Sequence, residues 1–270
     1  MIFNMRRLEA IFRGENLKTR VFAAGVHLLA SLVVAFIAAY VVFGLWYPAP
    51  YDVLSGGKEL FWLVVGVDVI LGPFITFLVF NQKKRRRELF LDLAVVALIQ
   101  LGALGYGLWT VFVARPAYLV FEYSRFSIVH AVDIDPKRLG NAPEDLRVIP
   151  LGGPQLIALR PFKDANEQFD ATVEALDGAP LPTRCELWQP YALAVTRVLD
   201  AAKPAGELMG RFPQHANAIV RAVEEAGRPF EELRYLPVLG RGSAVWTVLL
   251  DSKSAAPLAL PGRSPKGCGA

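Results

Sequence analysis

The residues with the clearest chemical potential are polar side chains inside long apolar runs. Asp68, Gln100 and His27 each lie about 10 Å from the nearer end of an otherwise hydrophobic run, at ~1.5 Å of helix rise per residue. An ionisable group at the centre of a bilayer costs ~2.5 to 3.5 kcal/mol, so such residues are rare and serve a purpose. Counted from opposite ends of their runs, Asp68 and Gln100 could meet near the midplane.

Two interpretations of this pair stay open. In the first, Asp68 and Gln100 form a hydrogen bond that holds the helices together. In the second, Asp68 faces a gap into which the transmembrane helix of a partner docks. Small residues in the same runs would permit close backbone approach and a kink in either case, and they are Gly66, Gly72, Pro73, Gly102, Gly105 and Gly107.

Motifs for catalysis are absent from the sequence. It contains no G-x-S-x-G, no phosphate-binding P-loop and no H-E-x-x-H. His130 and His215 lack the spacing to a cysteine or carboxylate that a metal site requires. The pair Asp133 and Asp135 is better explained as a solvated turn than as a cation site. We therefore expect no enzyme activity, no metal and no cofactor.

Three apolar runs are long enough to cross the hydrocarbon core of a membrane, which takes about 20 residues of helix. They cover residues 21–45, 60–80 and 93–114 and account for most of the mean hydropathy of +0.36. A buried helix of a soluble core seldom runs so long without a charge, and a cleavable signal peptide has a shorter apolar core of about 7 to 15 residues. The sequence predicts three transmembrane helices, the first of them a retained anchor.

Lysine and arginine predict the orientation of these helices, because short basic segments stay in the cytoplasm. Basic residues cluster before the first run and between the second and third, at Arg6, Arg7, Arg13, Lys18, Arg20, Lys83, Lys84, Arg85, Arg86 and Arg87. We expect residues 1–20 to be cytoplasmic and the chain after residue 114 to lie in the periplasm of a bacterium with two membranes. The basic residues just listed then lie beside anionic lipid and account for the net charge of +4, so we expect no nucleic-acid partner.

Aromatic residues mark the outer ends of the runs, where we expect them to anchor the helices at the membrane interface. They are Trp46, Tyr47, Phe61, Trp62 and Trp109. The segment between the first two runs is short and rich in proline and glycine, which predicts a simple link between antiparallel helices.

The sequence after Arg115-Pro116 changes from continuous apolarity to alternation, which indicates strands. Strands are predicted at 118–123 and 125–129, helices at 164–176, 186–202 and 214–226, and a hairpin at 234–239 and 243–251. We predict that the transmembrane region, 21–114, is followed by a small periplasmic α+β domain over residues 115–251 and a disordered tail over 252–270. Whether Cys185 and Cys268 form a disulfide stays open.

A set of short motifs is informative through its order and spacing. The motifs are Gly25-Val26-His27, Trp46-Tyr47-Pro48, Gly56-Gly57, Val67-Asp68, Gly72-Pro73, Thr76, Asp92-Leu93, Gln100, Tyr106-Gly107, Arg115-Pro116 and Arg125-Phe126. Together they resemble the type IV pilin accessory protein family, the TfpX/TfpZ group. The resemblance is strongest over residues 20–130.

The resemblance implies an inner-membrane protein that works beside a type IV pilin subunit, as a pilin-specific chaperone or assembly modulator. Other pilus assembly components and the lipid bilayer are further candidate partners. Candidate partner-binding residues are Asp68, Gly72, Pro73, Gln100, His27 and Arg115. Two other functions stay open: a membrane enzyme that transfers a glycosyl or acyl group to pilin, and a ligand sensor that signals through its spans.

Overall fold

The computed structural model describes residues 14–80, 84–240 and 245–260, and the structural statements below refer to these residues. The chain divides into two compact units. The helical unit contains Met1–Gly44 and Lys58–Phe112, and the sheet domain contains Leu45–Gly57 and Val113–Ala270.

The regular elements are numbered in chain order. The helices are α1 Gly14–Val41, α2 Tyr51–Leu54, α3 Gly57–Val79, α4 Arg86–Val113, α5 Pro136–Leu139, α6 Ala165–Leu176, α7 Val195–Ala201, α8 Glu207–Arg211 and α9 Ala216–Ala226. A π-helical turn, Val42–Trp46, continues α1. The strands are β1 Pro116–Glu122, β2 Arg125–His130, β3 Gln155–Leu159, β4 Trp188–Pro190, β5 Lys203–Pro204, β6 Leu233–Leu239, β7 Val245–Asp251 and β8 Pro257–Ala259.

Three helices are long and apolar enough to cross a membrane, at Leu17–Trp46, Gly57–Val79 and Arg86–Val113. Many of their large apolar side chains are exposed, such as Phe36, which suits lipid rather than water as the surrounding solvent. The structure confirms the three predicted helices. Each helix begins several residues before its predicted start. Trp62 and Trp109 are exposed, and their role as interface anchors stays a prediction, whereas Phe61 is buried.

Basic residues bind helix ends within the helical unit. The Arg20 guanidinium of α1 is buried and donates from Nη1 to the carbonyl oxygens of Phe77 and Leu78, at 3.3 Å each. These carbonyls lie in the last turn of α3, where no later N–H of the helix is available to donate to them and the helix dipole favours a cation. Lys84 forms an ion pair with Asp92 of α4. Of these two residues, which also served to predict orientation, Arg20 joins α1 to α3, whereas the exposed pair of Lys84 and Asp92 is local to the start of α4.

The sheet domain is built on one mixed eight-stranded sheet with the order β4-β3-β1-β2-β6-β7-β8, in which β5 also pairs with β6. Most neighbours are antiparallel, but β1 pairs in parallel with β3, and β2 in parallel with β6. Every residue of β1 is buried, because this strand lies in the middle of the sheet with both faces covered. The structure thus confirms a mixed domain of helices and strands.

Three apolar clusters cover the two faces of the sheet. Side chains alternate along β1, so Leu119 and Phe121 enter the first cluster while Tyr118 and Val120 enter the second. The first cluster also takes side chains from α7, β6 and β7. The second contains Trp188, whose indole N–H donates to a backbone carbonyl at 2.9 Å. The third packs α8 and α9 against β6 and β7.

The segment Leu45–Gly57 belongs to the sheet domain and is more than the predicted link between helices. Tyr47 is fully buried, and the carbonyl oxygen of Leu45 accepts from the N–H of Gly153 at 2.7 Å. Leu54 joins the first apolar cluster, and a Cβ on Gly240 would lie 2.8 Å from the Leu54 carbonyl oxygen. The interpretation of Tyr47 as a membrane-interface anchor is therefore wrong, because its ring lies in a protein interior.

Capping and turn residues explain where local prediction succeeds. The α6 helix begins after Asp164, whose carboxylate accepts from the N–H of Glu167 at 2.8 Å. The α9 helix ends at Gly227, whose φ of 64° is a left-handed conformation that glycine adopts without steric cost. The β1–β2 and β6–β7 pairs are present as predicted. The turn between β6 and β7 lies outside the described residues.

Pairing with distant strands explains where prediction differs. The predicted helix over 186–202 is interrupted, because Trp188–Pro190 forms β4 and pairs with β3, and only Val195–Ala201 is α-helical. The β3 strand is absent from the prediction. The predicted disordered tail over 252–270 is wrong for its first part, since Pro257–Ala259 forms β8 on β7. Residues 261–270, with Cys268, lie outside the described residues.

The pair Arg160 and Glu167 predicts how the sheet domain responds to acid. Arg160 donates to both carboxylate oxygens of Glu167, and these bonds, together with one from the Lys163 N–H, lower the pKa of Glu167 from 4.5 to about 2. The folded state therefore gains stability from ionised Glu167 above about pH 4.5 and loses it as the pH falls toward 2.

We expect the urea midpoint of the wild type to fall more steeply between pH 5 and pH 3 than that of Glu167→Gln, with the two converging near pH 2. Glu225→Gln, an exposed glutamate of α9, is the control and should follow the wild type. Parallel curves for the wild type and Glu167→Gln would contradict the expectation.

Candidate functional site

A polar cluster lies where the three spanning helices meet. His27 of α1 and Thr76 of α3 share a hydrogen bond of 2.7 Å between Nδ1 and Oγ1. Gly72, one turn before Thr76, is buried against two side chains: a Cβ there would lie 2.3 Å from Nε2 of Gln100 on α4 and 3.0 Å from Nε2 of His27. The absence of a side chain at Gly72 therefore makes room for polar groups from both neighbouring helices.

Asp68 precedes Gly72 by one turn and lies near this cluster, close enough to His27 for an electrostatic interaction. Asp68, Gly72 and Thr76 are spaced by four residues, which places them on one face of α3. That spacing is a signal in the sequence for the role of Thr76, which the prediction did not include among the candidate site residues.

A groove of about 400 Å³ runs between α3 and α4. Asp68 and Gln100 line it with Tyr106 and Thr110, and the rest of its wall is apolar, from Leu60, Leu63, Val64, Val67, Leu71, Ile75, Ile99, Ala103, Leu104, Gly107 and Val111. Asp68 is the one ionisable carboxyl group in this lining set. Several lining side chains are more than half exposed, which leaves the groove accessible from the side of the bundle.

The structure brings Asp68 and Gln100 to one groove without joining them. Nε2 of Gln100 is buried and has no hydrogen-bond partner in the described part of the chain. A carboxylate can only accept hydrogen bonds, so the predicted bond from the Gln100 amide to Asp68 is not made. The first interpretation, in which this bond holds the helices together, is therefore not supported by the geometry. Asp68 is left facing a groove.

The small residues of the spans divide into two groups. Gly107 of α4 packs against Val64 of α3, where a Cβ would lie 2.4 Å from Cγ1 of the valine. Gly66, Gly102 and Gly105 have no atom within 4 Å of the position that a Cβ would take. Close helix approach therefore depends on Gly72 and Gly107, and the other three glycines are not needed for packing within the unit.

Pro73 and Arg115 complete the predicted site residues. Pro73 lies inside α3, where its missing N–H leaves one backbone carbonyl of the preceding turn without a helical donor. Arg115 is buried in the sheet domain and donates from Nε and Nη2 to the carbonyl oxygen of Pro150, at 3.1 Å each. Its guanidinium therefore fixes a loop of that domain rather than presenting a charge on the surface.

The candidate titratable groups of the sheet domain serve local structure. His130 Nδ1 lies 3.2 Å from Oδ2 of Asp133, and Asp135 accepts from the Lys137 N–H as the N-cap of α5. Over residues 14–80, 84–240 and 245–260, no group of three or more His, Cys, Asp or Glu side chains is placed to hold a metal ion. Cys185 is buried and has no disulfide partner among the described residues, and burial raises the pKa of its thiol to about 11, which disfavours the reactive thiolate.

Fold and groove together define a three-span membrane protein with a mixed-sheet domain and a polar cluster in its bundle. The family model of the fimbrial assembly protein FimB matches residues 15–56. Two fimbrial assembly proteins of Dichelobacter nodosus, of serogroups I and E1, are each 34% identical over 240 residues, or 87% of this chain and 93% of theirs. A third, of serogroups C1 and C2, is 40% identical over 122 residues, or 44% of this chain. No solved structure matches.

The chain therefore belongs to the fimbrial assembly protein family. This membership confirms the predicted resemblance to pilus accessory proteins and supports a role in pilus biogenesis.

Proposed function

We propose that this protein is an inner-membrane accessory factor that binds a type IV pilin subunit and acts as its chaperone or assembly modulator. In this proposal the N-terminus is cytoplasmic and the sheet domain periplasmic, as the distribution of lysine and arginine favours. The names of the relatives support the pathway, and the proposal adds the partner, the orientation and the mode of binding. It contains no catalytic step.

The observation that carries the proposal is Asp68 on the wall of the α3–α4 groove. A carboxylate at this depth of a bilayer is costly, and the Gln100 amide nearby does not satisfy it. A transmembrane helix seated in the groove would cover its apolar wall and could bring a hydrogen-bond donor to Asp68 and an acceptor to Nε2 of Gln100. A pilin that waits in the membrane with an apolar helix is a partner of this kind.

Site-specific cross-linking tests the docking site directly. A photoreactive phenylalanine analogue at Ala103, which lines the groove, should capture pilin in a piliated strain. The same group at Phe36, which is exposed on α1 outside the groove, should not. Absence of pilin from the Ala103 adducts, with unchanged pilin levels and surface piliation in a deletion strain, would overturn the proposal. A mass difference between pilins from wild-type and deletion strains would instead indicate a modifying enzyme.

Substitution of Asp68 tests the polar contact. We expect Asp68→Leu to lower the pilin that co-purifies with the solubilised protein by roughly threefold to twentyfold, the range of interhelical hydrogen bonds in membranes. Asp68→Asn keeps the size and one acceptor, so it separates the role of charge from that of hydrogen bonding. Asp92→Asn, whose carboxylate pairs with Lys84 outside the groove, is the control. Undiminished capture by Asp68→Leu would show that the carboxylate does not contribute.

A further inference from the structure

A cleft in the sheet domain lies at a gap in the sheet. On one edge of β6, β5 pairs with Arg234 and Tyr235, and β2 pairs with Val238 and Leu239. Leu236 and Pro237 lie between these two pairings, and proline cannot donate a ladder hydrogen bond there. A cleft of about 390 Å³ opens at this gap, and we call it the basic cleft; it is lined by Ser124, Ala201, Lys203, Arg211, Phe212, Tyr235, Leu236, Pro237, Trp246 and Thr247.

The charges of the basic cleft have one sign. Lys203 and Arg211 line it, and no aspartate or glutamate is among the lining residues. Neither cation has a side-chain hydrogen bond or an ion pair in the part of the chain that the structure describes. The Arg211 guanidinium lies 5.8 Å from the centre of the Phe212 ring, a cation–π contact that directs it without neutralising its charge. Two cations thus share one cleft with no acidic residue among its described lining residues.

The remaining lining groups add donors and an apolar surface. The Tyr235 side chain is 6% exposed, and its hydroxyl is buried with no hydrogen-bond partner among the described residues. A buried hydroxyl without a partner costs free energy, which a nearby acceptor would offset. The rings of Phe212, Pro237 and Trp246 supply an apolar wall. This combination suits a carboxylate carried beside an apolar group.

We propose that the basic cleft binds an acidic side chain on the globular part of the protein partner. The inference rests on the proposed function, because it places a second contact with the pilin on the sheet domain. A pilin would then be held at two independent places, by its helix in the groove and by a carboxylate in the basic cleft. Charge complementarity would give the second contact its specificity and speed of association.

The double variant Lys203→Glu, Arg211→Glu in the full-length protein tests this. We expect at least a tenfold loss of pilin capture, because closely paired charges at an interface contribute that much and reversal adds repulsion. The control is Arg221→Glu, Lys253→Glu, which reverses two exposed cations of the same domain outside the basic cleft and should retain capture. Carbodiimide coupling should join Nζ of Lys203 to a pilin carboxylate as an amide, with loss of water, in the wild type.

A second probe separates failure of this inference from failure of the proposed function. A labelled hexaglutamate peptide is titrated onto the solubilised wild type and both double variants, with hexaglutamine as the uncharged reference peptide. Basic segments elsewhere in the chain are the same in all three proteins, so a difference in peptide binding between them reports on the substituted residues. Loss of binding in the cleft variant alone supports the site even if the wild type captures no pilin. Equal peptide binding and equal pilin capture by both double variants would overturn the inference. Displacement of the peptide by inorganic phosphate without any adduct at Lys203 would assign the cleft to a free anion and equally overturn it.

Discussion

Tyr47→Ala will lower the free energy of unfolding of the sheet domain by about 3 to 5 kcal/mol, the usual cost of removing a large buried aromatic ring. Tyr47 has 0% of its surface exposed, although it directly follows an apolar helix with many exposed side chains. Its ring packs on Gly57, where a Cβ would lie 2.4 Å from the ring carbon Cδ1. Removal of the ring leaves a cavity that the closely packed neighbours cannot fill.

The measurement is the thermal midpoint of the solubilised full-length protein, followed by tryptophan fluorescence. We expect Tyr47→Ala to lower it by roughly 10 °C. Tyr40→Ala is the matched control, because Tyr40 lies on α1 with 71% of its surface exposed, and it should leave the midpoint unchanged. Gly57→Ala should destabilise the same site from the other side, by pushing on the ring. Equal midpoints for the two tyrosine variants would show that the Leu45–Gly57 segment is not part of the domain core.

The second large effect is expected at Gly107, where α4 packs closely against Val64 of α3. A leucine there would meet both methyl groups of Val64, with even the Cβ only 2.4 Å and 2.8 Å from them. Val64 is β-branched and stiff at χ1, so it cannot turn aside, and the two helices must separate. We expect Gly107→Leu to destabilise the helical unit by about 3 kcal/mol, as overpacking does, and to widen the groove that both residues line.

Gly105→Leu is the control for this substitution, since no atom lies within 4 Å of a Cβ at Gly105. The readouts are the fraction of monodisperse protein after extraction and the yield of pilin adduct from Ala103. Gly107→Leu should lower both, and Gly105→Leu neither. Gly72→Ala should be milder than Gly107→Ala, because the nearest atom there is the end of the flexible Gln100 side chain. Equal recovery of the two leucine variants would contradict the proposed packing of α3 on α4.

The sequence by itself determined the features that depend on local chemistry. Long runs without charge require helices in lipid, because every backbone group must be satisfied within the segment. Asp164 before α6 and Gly227 after α9 mark helix ends through hydrogen bonds and backbone conformations that involve only nearby residues. The alternation of side-chain types along β1 and β2 predicted strands, because this pattern too depends only on nearby residues. Polar groups are rare in apolar runs, and that rarity alone singles out Asp68, Gln100 and His27.

Only the tertiary structure decided how these parts combine, because the contacts involved join residues far apart in the chain. Trp188–Pro190 is a strand because β3 offers it an edge, and Pro190 would itself interrupt the helix predicted over 186–202. The cleft residues Lys203, Arg211 and Trp246 share no sequence pattern and meet through the pairing of β5 and β7 with β6. The Gln100 side chain packs on Gly72 and its amide N–H groups do not bond to Asp68 in the described part of the chain, which depends on the rotation of α4 against α3. Apolar periodicity predicts that a helix is buried, but not which neighbour meets each of its faces.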